Sequence, residues 1–286
     1  MRRSKSSWTC VFCCFVALFL SIHGPVRAET WTFSVISDIH ANFESYGAVL
    51  EKIRGPEKEP PEEAAGPGFV MVCGDMSPVS KNHEIFQDVF KNTSTFFVPV
   101  RGNHEKEADV EYIKGAILPG YGEHVRMMPE GGVAYALDWK NIRVIVLDQY
   151  AGWGKSLEHP RVLAWLEECI LSADHADHVF LAFHEPLVPW FPEEDPLWSL
   201  LTGHAAKVRA VFVGHTHRYS RRAIEGHGGT VQFINAGNAG QESHSDGHLT
   251  IVKVFVETDR VTFRTYQAPH QTRSFHIREQ WQWNMQ

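Results

Sequence analysis

Beyond its first 28 residues the chain has almost no cysteine: Cys10, Cys13 and Cys14 lie in that opening stretch, and only Cys73 and Cys169 follow. A fold stapled by several disulfides is thereby excluded. One pair could still close in an oxidising compartment, but Cys73 ends the apolar run Phe69–Cys73 and reads as a small core hydrophobe. Long hydrophobic runs are equally scarce. The apolar stretch Trp8–Ile22 falls short of the ~20 residues a spanning helix needs, and no later segment is longer. Basic charge is short too, with 27 Lys and Arg against 34 Asp and Glu and a net charge of −7. A surface of that sign repels polyanions, so stable nucleic-acid binding is not expected and an exported nuclease is disfavoured. No internal repeat is visible, and the one compositionally biased tract is the Glu/Pro/Gly-rich connector at 55–68.

What the N-terminus does have is an order of features. Arg2-Arg3-Ser4-Lys5 precedes the Trp8–Ile22 run, and Val26-Arg27-Ala28 follows it. Basic, apolar, then a small-residue cleavage site is the pattern of a secretory signal peptide. The expectation is a leader at 1–28 and one mature domain at 29–286, exported to the periplasm or secreted, with no membrane span once the leader is removed. Four basic residues and no acid leave with the leader, so the mature chain is more acidic still.

The mature region opens with a strand at Trp31–Ser37, a helix at Phe43–Arg54, a strand at Phe69–Cys73, a short helix at Glu84–Phe90 and a strand at Phe96–Val100. This βαβαβ beginning favours parallel pairing. Further strands are expected at Val133–Trp139, Ile142–Leu147, Val179–Phe183, Ala210–Val213, Val231–Ile234, Leu249–Val256 and Arg260–Tyr266, with a helix at Arg161–Leu171. So many strands fit two packed sheets flanked by helices better than one sheet.

Metal-ligand residue types recur where these strands end, which is where an open α/β sheet places its site. Asp38-Ile39-His40 follows the first strand, Gly74-Asp75 the second and Gly102-Asn103-His104-Glu105 the third. His184 follows Val179–Phe183, and Gly214-His215-Thr216-His217 follows Ala210–Val213. Each alone is an ordinary turn or cap. Five strand ends of one chemical kind are not explained that way.

In the order D-x-H, G-D, G-N-H-E, H, G-H-x-H, this set resembles the calcineurin-like metallophosphoesterase superfamily from Thr32 to about His217. The resemblance implies an α/β fold of two packed mixed sheets flanked by helices, an α/β/β/α sandwich with two metals in a cleft. It implies that Asp38, His40 and His217 bind one metal and Asn103, His184 and His215 the other, with Asp75 bridging. It further implies that His104 is catalytic, assisting the leaving group of a small phosphorylated substrate, a phosphomonoester or phosphodiester attacked by a metal-bridging hydroxide. Mixed imidazole, carboxylate and amide donors suit two divalent or trivalent ions of the Mn, Fe or Zn kind. A degraded ligand set would instead mark a non-catalytic protein that binds metal or a phospho-ligand on the same scaffold; here every position is filled.

The branch is narrowed by departures. Pro78 and Val79 stand where protein phosphatases carry an Asp-Arg pair, and Pro78 with His40 departs from the purple acid phosphatases. Other readings stay subordinate. Glu105 either orients His104 or, as the preferred reading, caps a helix starting near Lys106, and Arg101 either reaches phosphate or lies on the surface. Gly74, Gly102 and Gly214 are expected to allow tight turns. Asn235–Gly240 forms either an anion-binding nest or an ordinary turn, and Trp153, Trp190, Phe191 and Trp198 either stack on substrate or cover the core. The remaining histidines, His83, His124, His159, His204 and His244 among them, are read as core or surface residues.

Overall fold

A computed structural model of the chain describes residues 30–55, 67–152, 157–186, 195–241 and 243–284. The expected leader, most of the acidic connector, and Trp153, Trp190 and Phe191 lie outside those residues. Among the described residues no helix is long and apolar enough to cross a membrane.

The first half is the expected βαβαβ unit: β1 (Trp31–Ile36), α1 (Phe43–Arg54), β2 (Phe69–Cys73), α2 (Val79–Phe90) and β3 (Phe96–Val100). β1 is buried at every position and pairs in parallel with β2, which pairs in parallel with β3. α1 starts where the Asn42 side chain accepts the Ser45 N–H, and it ends at Gly55, whose φ of 74° breaks the helix. Its buried face is Tyr46, Val49, Leu50 and Ile53, the spacing of one helical stripe.

The second half contains α3 (Glu107–Tyr112), a π turn and 3-10 segment through residue 124, β4 (Val125–Met127), β5 (Tyr135–Trp139), β6 (Ile142–Val146), α4 (Pro160–Leu171), β7 (His178–Ala182) and α5 (Pro196–Gly203). It closes with β8 (Val208–Val213), β9 (Tyr219–Gly226), β10 (Gly229–Ala236), β11 (His248–Val256), β12 (Arg260–Pro269) and β13 (His276–Asn284). Two mixed sheets result, six strands in the order β13-β12-β11-β1-β2-β3 and seven in the order β4-β5-β6-β7-β8-β10-β9. This is the expected α/β sandwich.

The sheets meet through aromatic side chains. Phe33 of β1 stacks on Phe69 of β2 with centroids 4.6 Å apart, and meets Phe180 of β7 edge-on at 5.1 Å and Phe212 of β8 at 6.2 Å. All four are fully buried. Removing one such ring costs about 3–5 kcal/mol. This packing sets the C-terminal ends of β1, β2 and β3 beside those of β7 and β8.

Several elements depart from expectation. α2 starts at Val79, not Glu84, because its first turn is anchored by buried Asn82 and His83, polar residues that hide the helical period. β9 and β13 were not expected. Each ends its sheet's strand order, and the charged residues that break alternation in Tyr219–Gly226 and His276–Asn284 suit an edge position.

At the N-terminal end of β7, His178 is fully buried. Its Nδ1 accepts from Arg209 Nε at 2.9 Å, which leaves Nε2 to donate to the Glu257 carbonyl at 2.7 Å. Arg209 is itself buried, with its guanidinium 3.6 Å from the centroid of Trp283 in β13. Burial, helped by the charge of Arg209, holds the His178 pKa below its ordinary 6.5 against the Glu257 carbonyl, Asp177 and Asp259, which raise it. The folded state therefore prefers neutral His178. Its contribution is complete above pH 6.5 and is lost as pH falls below that value. Thermal melts at pH 7.5 and 5.5 should show a smaller acid-induced drop in His178→Gln than in the wild type. An equal drop would mean that this imidazole does not contribute.

Candidate metal centre

The loops after β1 and β2 are tied together by backbone. Asp38 N–H donates to Gly74 O at 3.1 Å, and His40 N–H to Asp75 O at 2.8 Å. Five of the expected ligands adopt left-handed backbone: Asp38 (φ 55°), His40 (51°), Asp75 (55°), His215 (70°) and His217 (56°). Such conformations cost on the order of 1–3 kcal/mol each for non-glycine residues and persist only where the surroundings impose them. They aim the side chains into one cleft.

Asp75 is at the centre. Its Oδ1 accepts the His104 N–H at 3.0 Å, while Oδ2 lies 3.3 Å from His184 Nε2, 3.7 Å from His40 Nε2 and 3.9 Å from His104 Nε2. On one side, Asp38 Oδ1 is 3.3 Å from His217 Nε2, and Asp38 Oδ2 accepts the His215 N–H at 2.9 Å. On the other, Asn103 Oδ1 is 3.0 Å from His184 Nε2 and 3.1 Å from His215 Nδ1. The far nitrogens are anchored: His184 Nδ1 donates to Cys73 O at 2.7 Å and His217 Nδ1 to Ser243 O at 3.1 Å, which turns each Nε2 inward.

The ligand atoms form two groups, Asp38/His40/Asp75/His217 and Asp75/His184/His215, with each group's atoms within 4.8 Å of one another. Asp75 belongs to both, and Asn103 touches the second. The donor set fits metal. Two atoms each ~2.1 Å from one ion lie roughly 3.0–3.4 Å apart for octahedral or tetrahedral angles, close to the shorter contacts here. Asp38 Oδ1 and His40 Nε2 are buried yet make no hydrogen bond, as atoms waiting on a cation would be.

The electrostatics point the same way. Burial alone would raise the Asp75 pKa, but its hydrogen bond to His184 and that imidazole's charge hold it well below the usual carboxylate range. Conversely, burial would lower His184, and the Asp75 hydrogen bond with the Asp38 charge drives it up. His217 is raised by the Asp38 carboxylate beside it. Burial lowers His40 and His215. A proton and a metal ion compete for the same field and the same nitrogen atoms.

Glu105 does not cap α3. It is buried, and its carboxylate accepts the N–H groups of Gly102, of Asp75 at 3.2 Å and of Met76 at 2.6 Å, binding the second and third motif loops together. Burial and the nearby Asp75 charge push its pKa up to about 7. The cap is Asp109, which takes the Lys106 N–H at 3.1 Å and also the Val79 N–H of α2 at 2.8 Å.

Of the three motif glycines, Gly74 alone has left-handed φ (90°), and a Cβ there would lie 2.2 Å from His184 Nδ1. Gly102 and Gly214 are needed for close approach rather than turning: a Cβ would fall 2.3 Å from Asp75 Oδ1 and 1.8 Å from Ser37 Oγ. Asn235–Gly240 is a brace, not an anion nest. Ala239 N–H goes to Ser37 O, Gly237 N–H to Asn235 Oδ1 and Gly240 N–H to Asn238 Oδ1, while Asn235 Nδ2 supports Gly214 O at 2.7 Å.

Arg101 is not a surface side chain; it leans on a further strand end, Asp148-Gln149-Tyr150 after β6, which was not expected to belong to the site. There Gln149 exchanges hydrogen bonds with the Glu185 backbone, and Tyr150 Oη donates to Glu185 Oε1 at 2.7 Å. The signal was present: polar residues directly after the apolar run Ile142–Leu147, the same pattern that marks the other five strand ends. Trp198 lies half-buried in α5. His83 packs among Phe86, Phe97 and Tyr112 as a core residue. Cys73 and Cys169 are both buried and free.

Residues 32–219 match the family model described as calcineurin-like phosphoesterase. No curated protein matches the chain. Among solved structures, Vps29 from Entamoeba histolytica complexed with zinc is 13% identical, with 88% of this chain and 99% of that one covered and a TM-score of 0.46. A predicted phosphoesterase from Streptococcus pneumoniae TIGR4 is 14% identical over 90% of this chain and 98% of that one, TM-score 0.44. A novel phosphatase from Mycoplasma pneumoniae is 16% identical over 90% and 94%, TM-score 0.44.

If Glu105 is the tie between the motif loops, Glu105→Gln should cost about 1–3 kcal/mol, because an amide N–H₂ must then face a backbone donor. Urea titration followed by tryptophan fluorescence measures this. Wild-type stability in the variant would refute the role.

Proposed function

Because the chain belongs to the calcineurin-like phosphoesterase family, we propose that it is a metal-dependent phosphoric ester hydrolase that uses two ions and acts outside the cytoplasm. The observation that carries this reading is the position of Asp75, common to two groups of ligand atoms. Asp38, His40 and His217 would hold one ion, Asn103, His184 and His215 the other, and Asp75 both. Bound Mn, Fe or Zn ions would acidify water to supply the nucleophile and offset charge on the phosphoryl oxygens.

The chain's own residues supply orientation and a proton. His104 has its backbone fixed by Asp75 Oδ1, while its side chain is 56% exposed and its ring meets that of His40 edge-on, with centroids 4.7 Å apart. An imidazole so held at the mouth of the cleft can reach a leaving-group oxygen and protonate it. His184 and His217 are kept in the tautomer that presents Nε2 by their carbonyl partners. The substrate is a small phosphomonoester or phosphodiester. The basic-apolar-small order of residues 1–28 supports export.

Protein loaded with Mn should hydrolyse p-nitrophenyl phosphate or bis(p-nitrophenyl) phosphate, and metal analysis should find two ions per chain. His104→Ala should keep the metal and lose roughly 10²–10⁴-fold in kcat, whereas Asp75→Ala should lose metal and turnover together. Absence of turnover on both esters by fully loaded wild type would overturn the reading. N-terminal sequencing of protein recovered outside the cytoplasm should begin near Glu29; an intact Met1 there would count against the leader.

A further inference from the structure

Arg101 connects β3 to the Gly102-Asn103-His104 loop, immediately before a proposed ligand. Its side chain is only 18% exposed. A guanidinium has five N–H donors, yet the contacts here both run through Nη1 and are long, 3.4 Å to Asp148 Oδ2 and 3.3 Å to the Tyr150 carbonyl. Nε is buried with no acceptor. Asp148, wholly buried, takes its closer bonds elsewhere, from Val133 N–H at 3.0 Å and Tyr150 N–H at 2.8 Å. It therefore orients the guanidinium by charge without using up its donors.

The surroundings locate the group. The Tyr150 ring centroid is 5.6 Å from the guanidinium carbon, and Tyr150 Oη donates to Glu185, the neighbour of His184. Arg101 is thus bracketed by the Asn103 loop on its own strand and by the His184 loop across the sandwich. Burial, then Glu185, and then Asp75 and Glu105 raise the Tyr150 phenol's pKa, which places this wall within electrostatic range of the centre.

We infer that Arg101 is a substrate-binding residue, gripping non-esterified phosphoryl oxygens from the side of the centre formed by Asn103, His184 and His215. The inference rests on the phosphoesterase reading. A phosphoryl group presents paired acceptors that match the guanidinium fork, and the Nη2 N–H groups, which no acceptor among the described residues takes, would meet them. A monoester carries nearly two negative charges near pH 7 and a diester one, so this contact favours monoesters.

The test is titration of inorganic phosphate into Mn-loaded protein by calorimetry, with metal content and melting temperature recorded for each variant. Arg101→Ala is made in an Asp148→Asn background, so that no buried carboxylate is left without a counter-charge, and is compared with Asp148→Asn alone. Phosphate affinity should fall roughly ten- to hundredfold at unchanged metal content, and millimolar guanidinium should restore part of it. A change of less than about twofold in metal-loaded, folded protein overturns the inference. If the double variant fails to fold, Arg101→Lys decides, since it keeps the charge but not the fork: a loss of about fivefold or more is expected, and wild-type affinity overturns the inference. Unchanged phosphate binding in the variant of a protein that turns over ester would sink this contact alone; a wild type that turns over no ester, with phosphate binding weakened in the variant, would sink the phosphoesterase reading and leave the contact standing.

Discussion

The Asp75 carboxylate is 2% exposed and has three imidazole Nε2 atoms within 3.9 Å of one of its oxygens. A carboxylate so far removed from water is tolerable only where positive charge meets it. Much of the neighbouring architecture follows from that need. Gly74 and Gly102 leave room for His184 and for Asp75 itself. The His104 N–H takes one Asp75 oxygen, leaving the other to face the imidazoles. Glu105 draws the Asp75, Met76 and Gly102 N–H groups to a single point. The loops can then come no closer or farther apart than those bonds allow.

That constraint has a conformational cost, visible in five left-handed ligand residues. Strain of this size is sustained by the rigid structure beneath it. The ring cluster of Phe33, Phe69, Phe180 and Phe212 lies between the sheets, and parallel strands β1, β2, β3, β7 and β8 deliver their C-terminal ends to one side of it. Loops leaving those ends have little freedom to relax. The Asn235–Gly240 segment braces them from the end of β10, through Ala239 to Ser37 and Gln241 to Asp38.

Strand ends were the legible part of this chain because apolar runs and the residues that stop them are both local signals. Asp38, His40, Asp75, Asn103, His184, His215 and His217 could be read one by one, and the structure brings their ligand atoms together. The illegible part depended on partners distant in sequence. Glu105 looks like a helix cap to anyone reading only its neighbours, and becomes a loop tie through Asp75 and Met76, about thirty residues earlier. Asp148 carries the same local signal, a polar residue after an apolar run, but its role lies in its partners, Arg101 and Val133, which belong to other elements. β9 and β13 escaped because edge strands need no second buried face, so their charges conceal the alternation that marks interior strands.

The two ends of the sandwich treat buried charge in opposite ways. At the far end, Arg209 is surrounded by permanent partners: His178, three backbone carbonyls and the face of Trp283. Each nitrogen of that guanidinium has a partner within the protein, and the cluster locks β7, β8 and β13 together. At the site end, Asp38 Oδ1, His40 Nε2 and Arg101 Nε are buried without hydrogen bonds. A protein that had only to be stable would complete both ends alike. Leaving such ionisable groups unmet in a well-packed scaffold is destabilising unless something else completes them. The two unmet acceptors, Asp38 Oδ1 and His40 Nε2, belong to one group of ligand atoms with Asp75, and a cation held there would complete both.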